Sequence, residues 1–172
     1  MLRLLVIGLA LLGLQGGTFA QSEREIFSIY LVRHAEKDLD AKDPGDPSLS
    51  VCGELRVQAL ARILSDIKLE RIYSTPFERT LDTARPIAES KRLEIESYDP
   101  SHLEKFSQLL LNMQQDALVI GHSNTTGVLA GLLAGKSGDS FNEDIFDRLY
   151  QVVISGKQSR LNLLHQSFRC EP

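Results

Sequence analysis

Tyr30-Leu31-Val32-Arg33-His34-Ala35-Glu36-Lys37 is an apolar run that ends in an arginine and a histidine. With the branched and aromatic residues before it, Ile26–Val32 reads as a first strand. Two more apolar runs end in the same way. Ile72-Tyr73-Ser74 leads into Thr75-Pro76-Phe77-Glu78-Arg79-Thr80, and Ala117–Ile120 leads into Gly121-His122-Ser123-Asn124. In an open α/β sheet, ligands gather at the carboxyl ends of the strands. Arg33, His34, Arg79 and His122 therefore become candidates for one shared site.

Between these runs lie amphipathic stretches, and the alternation is that of an α/β domain. Asp38–Ser48, with its Asp, Pro, Gly and Ser, is a loop. Helices are expected over Ser50–Ile67, over Glu78–Lys91 with Pro86 kinking or splitting it, and over Thr125–Ala134. Leu93–Tyr98 alternates like a strand. After it, Asp99-Pro100-Ser101 opens a helix to Met113, capped by Asp99 or by a Ser101–Glu104 capping box. Leu149–Ile154 and Leu161–His165, joined by Ser155-Gly156-Lys157-Gln158, suggest a terminal hairpin.

The chain has 172 residues, 42% of them hydrophobic and 24% charged, which fits one domain with a core. A formal charge of −4 argues against a nucleic-acid partner. Arg3, the apolar run Leu4–Leu14 and Thr18-Phe19-Ala20 have the layout of a signal peptide cleaved after Ala20. The run is too short to remain as a membrane span. Residues 1–20 are thus expected to be a signal peptide and 21–172 the domain, exported to a periplasmic or secreted location. Two readings of Cys52 and Cys170 stand: a disulfide, worth roughly 4–5 kcal/mol in a chain-entropy account, or two ordinary thiols.

A neutral imidazole can attack phosphorus, and arginine forks suit phosphoryl oxygens. Two histidines and two arginines at strand ends therefore point to phosphoryl chemistry. Glu36 and Lys37 are read as pocket mouth or surface ion pair. His102 and His165 carry no motif. Gly131–Ser137 falls one residue short of a phosphate-binding loop, and Asn124-Thr125-Thr126 matches a glycosylation acceptor beside the proposed pocket.

Taken together, the motifs resemble those of the histidine phosphatase superfamily, the phosphoglycerate mutase-like group, over about residues 28–165. Arg33-His34-Ala35 stands where that family has Arg-His-Gly. Leu49-Ser50-Val51-Cys52-Gly53, Ser74–Thr80 and Gly121-His122-Ser123-Asn124 match its later elements. The resemblance implies a three-layer α/β/α sandwich with a mostly parallel sheet. It implies His34 as phosphate acceptor, Arg33, Arg79 and His122 as the phosphate pocket, and neither cofactor nor metal. Ser123 follows the second histidine, so the branch whose proton donor lies after the third strand is implied, where Asp99 and Glu104 stand. The expected substrate is a small phosphorylated molecule or a phosphoprotein, as a phosphomonoester or phosphoramidate. The alternatives are a non-catalytic phosphate-binding module and, less favoured by chain length, a mutase-type phosphotransferase.

Overall fold

The computed structural model describes residues 26–170. The signal-peptide reading of residues 1–20 lies outside them. Six strands and four helices follow one another as β1 (Ile26–Arg33), α1 (Val51–Ile63), β2 (Arg71–Ser74), α2 (Glu78–Lys91), β3 (Ile95–Ser97), α3 (Leu103–Met113), β4 (Ala117–Gly121), α4 (Thr126–Leu133), β5 (Arg148–Ser155) and β6 (Gln158–His165). They form one sheet in the order β3-β2-β4-β1-β5-β6. The first four strands of that order run parallel, while β5 and β6 are antiparallel. The sheet is therefore mixed, because a two-residue turn at Gly156 and Lys157 can only join antiparallel strands. Gly156 takes the positive φ of 59° that this turn needs.

Side-chain alternation sorts the centre of the sheet into two cores. Ile29 and Leu31 of β1 and Ala117 and Val119 of β4 pack with Phe106 and Leu110 of α3 and Leu129 and Leu133 of α4. Tyr30 and Val32 of β1 and Leu118 and Ile120 of β4 pack with Leu60 of α1 and Ile87 of α2. Helices thus cover both faces, as the three-layer reading expects, and the central strands are apolar on each side.

Local chemistry shifts several expected boundaries. Helix α1 stops at Ile63 rather than Ile67, where Ser65 and Ile67 bond back to Arg62 and Leu64 in a turn. Helix α2 runs unbroken through Pro86, since its buried Thr83, Ala84, Ile87 and Ala88 hold it against the sheet and one missing bond does not divide it. Neither expected cap of α3 forms. The Asp99 carboxylate accepts from the Ser101 backbone (2.8 Å) and hydroxyl (2.6 Å) in a separate turn, and the helix begins later, after His102.

The register places the site. β1 and β4 pair with Arg33 opposite Gly121, and the His34 N–H continues the ladder to the Gly121 carbonyl at 2.9 Å. His34 and His122 therefore leave adjacent strands side by side. On the other flank of β4, Ser74 pairs with Ile120, which brings Thr75 beside His122.

Candidate active site

An open cleft of about 510 Å³ lies beyond these strand ends. Arg33, His34, Lys37, Arg79 and His122 line it, with Phe77, Pro100, Ser101 and Glu143 among the rest. The four residues singled out by the motifs converge here. The imidazoles of His34 and His122 stand 5.4 Å apart, centre to centre.

His34 is held in one tautomer. Its Nδ1 lies 2.7 Å from the Ala35 carbonyl, which can only accept, so Nδ1 carries the proton and Nε2 keeps its lone pair. The loop after it is pinned from two directions. Ala35 N–H donates to Thr83 Oγ1 (3.0 Å), and that hydroxyl donates to the Arg79 carbonyl (2.7 Å). Glu36 folds against the start of α1, where Ser50 N–H donates to its carbonyl and Ser50 Oγ caps Gly53 N–H.

That contact explains Gly53. A Cβ there would sit 2.2 Å from the Glu36 carbonyl oxygen, a backbone atom with nowhere to go. Gly53→Ala is expected to cost about 2–3 kcal/mol by overpacking, read as a lowered denaturation midpoint. Activity should fall further than stability accounts for, because Glu36 is two residues from His34.

Around His122 runs a chain of hydroxyls. Thr75 Oγ1 lies 3.0 Å from His122 Nε2 and 2.9 Å from Thr80 Oγ1, and Thr80 donates to the Phe77 carbonyl at 2.7 Å. With the Thr80 proton committed there, Thr75 must donate to Thr80, so His122 Nε2–H donates to Thr75. Nδ1 of His122 then has no protein partner among the described residues.

Burial pushes the His34 imidazole down to about 3, against its bond to Ala35, and Arg33, His122 and Arg79 press it the same way. Burial, then Arg79 and Arg33, pushes His122 down to about 4. Both rings are neutral at physiological pH. Two consequences are testable. The pH profile of kcat/KM, corrected for the substrate's own ionisation, should stay level from about pH 5 to 8 and fall only towards pH 4; an inflection near 6.5 would contradict it. Unfolded histidines take up protons near 6.5, whereas the folded ones resist to about 4 and 3. The stability they confer is complete above 6.5 and drains as pH falls towards the folded values, by about 1.4 kcal/mol per histidine per pH unit. Urea titrations at pH 7.5 and 5 should show that decline.

The arginines lie on aromatic platforms. The Arg33 guanidinium sits 4.1 Å above the Phe146 ring and donates to the carbonyls of Glu143 and Ile145. Burial lowers its pKa, yet a guanidinium remains a cation. Arg79 sits 4.5 Å above Phe77 and reaches Asp46 at 3.4 Å. Asp46 also accepts from Glu78 N–H (2.8 Å), so one carboxylate caps α2 and orients Arg79. Buried Arg56 chelates Glu36 at 2.6–2.9 Å, which turns Glu36 away from solvent. Lys37 lines the cleft.

Asp99 does not join them. It is absent from the cleft wall, its side chain is 60% exposed, and its carboxylate is taken by Ser101 and His102. Those bonds, Ser101 first, hold it down to about 2, so it carries no proton to give at neutral pH. Glu104 also lies outside the cleft wall. Sequence reasoning missed Thr75, Thr80 and Thr83, although their spacing inside the second motif signals a hydroxyl framework. It missed Phe146 and the Glu143 and Ile145 carbonyls, for which the sequence carries no signal.

Cys52 and Cys170 are joined in a disulfide, with Cα atoms 5.8 Å apart. Glu36 lies near both sulfurs, the one grouping of metal-holding spacing among the described residues, and the disulfide occupies both sulfurs.

Comparison with known proteins finds several that are similar to this chain. Residues 29–100 match the family model of the histidine phosphatase superfamily (branch 1). A stretch of 71 residues is 44% identical to phosphoserine phosphatase 1 of Hydrogenobacter thermophilus, covering 39% of this chain and 34% of that protein. The chain thus matches about a third of that relative's length. Among solved structures, the protein histidine phosphatase SixA complexed with tungstate aligns with TM-score 0.67 at 21% identity, over 81% of this chain and 97% of that one. The alpha-ribazole phosphatase from Shigella flexneri aligns with TM-score 0.67 at 17% identity, over 85% and 100%. The resemblance read from the motifs is borne out over residues 29–100 by the family-model match, phosphatases stand among the similar proteins, and the α/β fold agrees with that of the solved neighbours. The family-model match ends at residue 100, before His122.

Proposed function

We propose that the protein is a metal-independent phosphatase that hydrolyses a phosphomonoester or phosphoramidate through a phosphohistidine on His34. The bond from His34 Nδ1 to the Ala35 carbonyl carries the reading, since it leaves an unprotonated Nε2 among Arg33, Arg79 and His122. Nε2 forms a bond to phosphorus as the bond to the leaving group breaks. Arg33 and Arg79 hold the equatorial oxygens and offset the charge that shifts onto them. An arriving phosphoryl dianion favours a proton on His122 Nδ1, which converts that ring into a third donor. Water then attacks the phosphorus of phosphohistidine, Nε2 regains its lone pair, and inorganic phosphate leaves.

With Asp99 turned away, the leaving group draws its proton from solvent. Leaving groups that need little help, such as aryl oxides or the nitrogen of a phosphoramidate, should therefore be cleaved fastest. Work in an exported, oxidising compartment is part of the same reading, and the Cys52–Cys170 disulfide supports it.

The test is a rapid acid-free quench with a ³²P-labelled phosphoryl donor. Label on His34 that survives alkali and is lost in acid is the expected result. A protein that turns substrate over without ever carrying such label would overturn the covalent route. The second reading, a binding module without turnover, rests on the absent donor, and it predicts phosphate binding with no phosphate release from any ester.

A further inference from the structure

Arg33, Lys37 and Arg79 line the cleft, and Lys37 alone among them is uncommitted. Arg33 donates to the carbonyls of Glu143 and Ile145, and Glu143, the one acidic residue of the cleft wall, offsets its charge. Arg79 reaches Asp46 at 3.4 Å. The Lys37 ammonium has no hydrogen-bond or ion-pair partner among the described residues. Its acidic neighbours in sequence are engaged elsewhere. Glu36 is chelated by Arg56 at 2.6–2.9 Å, and Asp38 accepts from Asp40 N–H at 3.0 Å. The backbone beneath the side chain is nevertheless fixed. Lys37 forms an antiparallel bridge to Leu49, with Ser50 N–H bonded to the Glu36 carbonyl and Asp38 N–H to the Ser48 carbonyl, both at 2.9 Å.

Lys37 follows His34 by three residues, so their Cα atoms stand at most about 11 Å apart. Whatever Lys37 holds therefore lies close to the phosphoryl group. The arginine forks already match phosphoryl oxygens in shape, whereas an ammonium is a compact point charge on a flexible stem and suits a single anion of any shape. The organic part of a substrate seated on His34 must rest within the same walls. A cation there would meet three positive side chains against one carboxylate, while an anion would find the unpaired ammonium. We infer that Lys37 determines specificity by receiving a carboxylate carried close to the phosphoryl group, so that the preferred substrates are small phosphorylated carboxylic acids. This rests on the phosphatase reading above and narrows its substrate class.

The experiment compares phosphoglycolate with its amide, which has nearly the same shape and lacks the second charge. An aryl phosphate with no further charge serves as reference. The carboxylate member is expected to lead by about tenfold in kcat/KM at low salt, with the lead shrinking in about 0.5 M salt. In Lys37→Gln the ratio within the pair should fall to about one, and Lys37→Arg, which keeps the charge, should restore part of the lead. Being a ratio, the readout is insensitive to general loss of activity, and thermal midpoints near that of the parent would show that both variants fold. If Lys37→Gln instead depresses the acid, the amide and the aryl phosphate alike, Lys37 serves the phosphoryl group itself and the inference is overturned. Turnover of the aryl phosphate by the parent with equal or reversed preference in the pair would also overturn it and leave the phosphatase reading standing. Silence on every substrate would defeat both.

Discussion

His34→Ala should lose turnover by on the order of 10⁴-fold or more while inorganic phosphate still binds, because the bond-forming nitrogen is gone and the clamp remains. His34→Gln is the companion variant, as it fills the buried volume without an attacking lone pair. Both should unfold at denaturant concentrations near that of the parent, since the ring's bonding is confined to the neighbouring Ala35 carbonyl. Arg79→Ala should lose about 10²–10³-fold, and Arg79→Lys should recover only part, because the bidentate fork and its seat 4.5 Å over Phe77 are lost with the guanidinium. Product release followed at saturating and limiting substrate separates the two. The histidine variants fall in kcat, whereas Arg79→Lys shows its loss chiefly in kcat/KM. If His34→Gln kept a tenth of the parent's rate, another group would be the nucleophile.

These four side chains could be read from the chain because each follows an apolar strand and the parallel register does the rest. Arg33 opposite Gly121 and Ser74 opposite Ile120 bring three separate motifs to one edge without any further device. The same logic made the layers legible, since Ile29 and Leu31 had to face one way and Tyr30 and Val32 the other. Asp99 was misjudged for a local reason. Its carboxylate competes for Ser101 and His102 in a turn, and a sequence pattern cannot say whether an Asp before Pro caps a helix, donates a proton or closes its own loop. The platform under Arg33 was invisible because residues 138–147 carry no periodicity, and Phe146 reaches the site only through the fold of that segment. The pairing of Cys52 with Cys170 was undecidable from spacing, for it depends on the chain after β6 turning back to the first turn of α1.

That returning tail leads to the second large effect. Gln166 N–H donates to the Asp147 carbonyl at 2.8 Å, and the Phe168 carbonyl accepts from Arg56 at 3.3 Å. Arg56 lies between the rings of Phe168 (5.1 Å) and Phe146 (6.0 Å) and chelates Glu36. Phe146 in turn supports Arg33. The disulfide therefore closes a loop spanning 118 residues and also backs the phosphate clamp through Arg56. Cys52→Ser/Cys170→Ser, or incubation with a dithiol, should cost about 3–5 kcal/mol, a fall of about 6–20 °C in Tm for a domain of this size. Below the new Tm the reduced protein should remain folded, because neither sulfur belongs to the two main cores. Its affinity for inorganic phosphate should nevertheless drop several-fold, since the tail no longer presses Arg56 towards Glu36 and Phe146. Arg56→Ala with the disulfide intact should reproduce the weaker phosphate binding with a smaller loss of Tm than full reduction. If reduction lowers Tm and leaves phosphate affinity untouched, the disulfide is a staple of the chain alone and Arg33 is held without help from the tail.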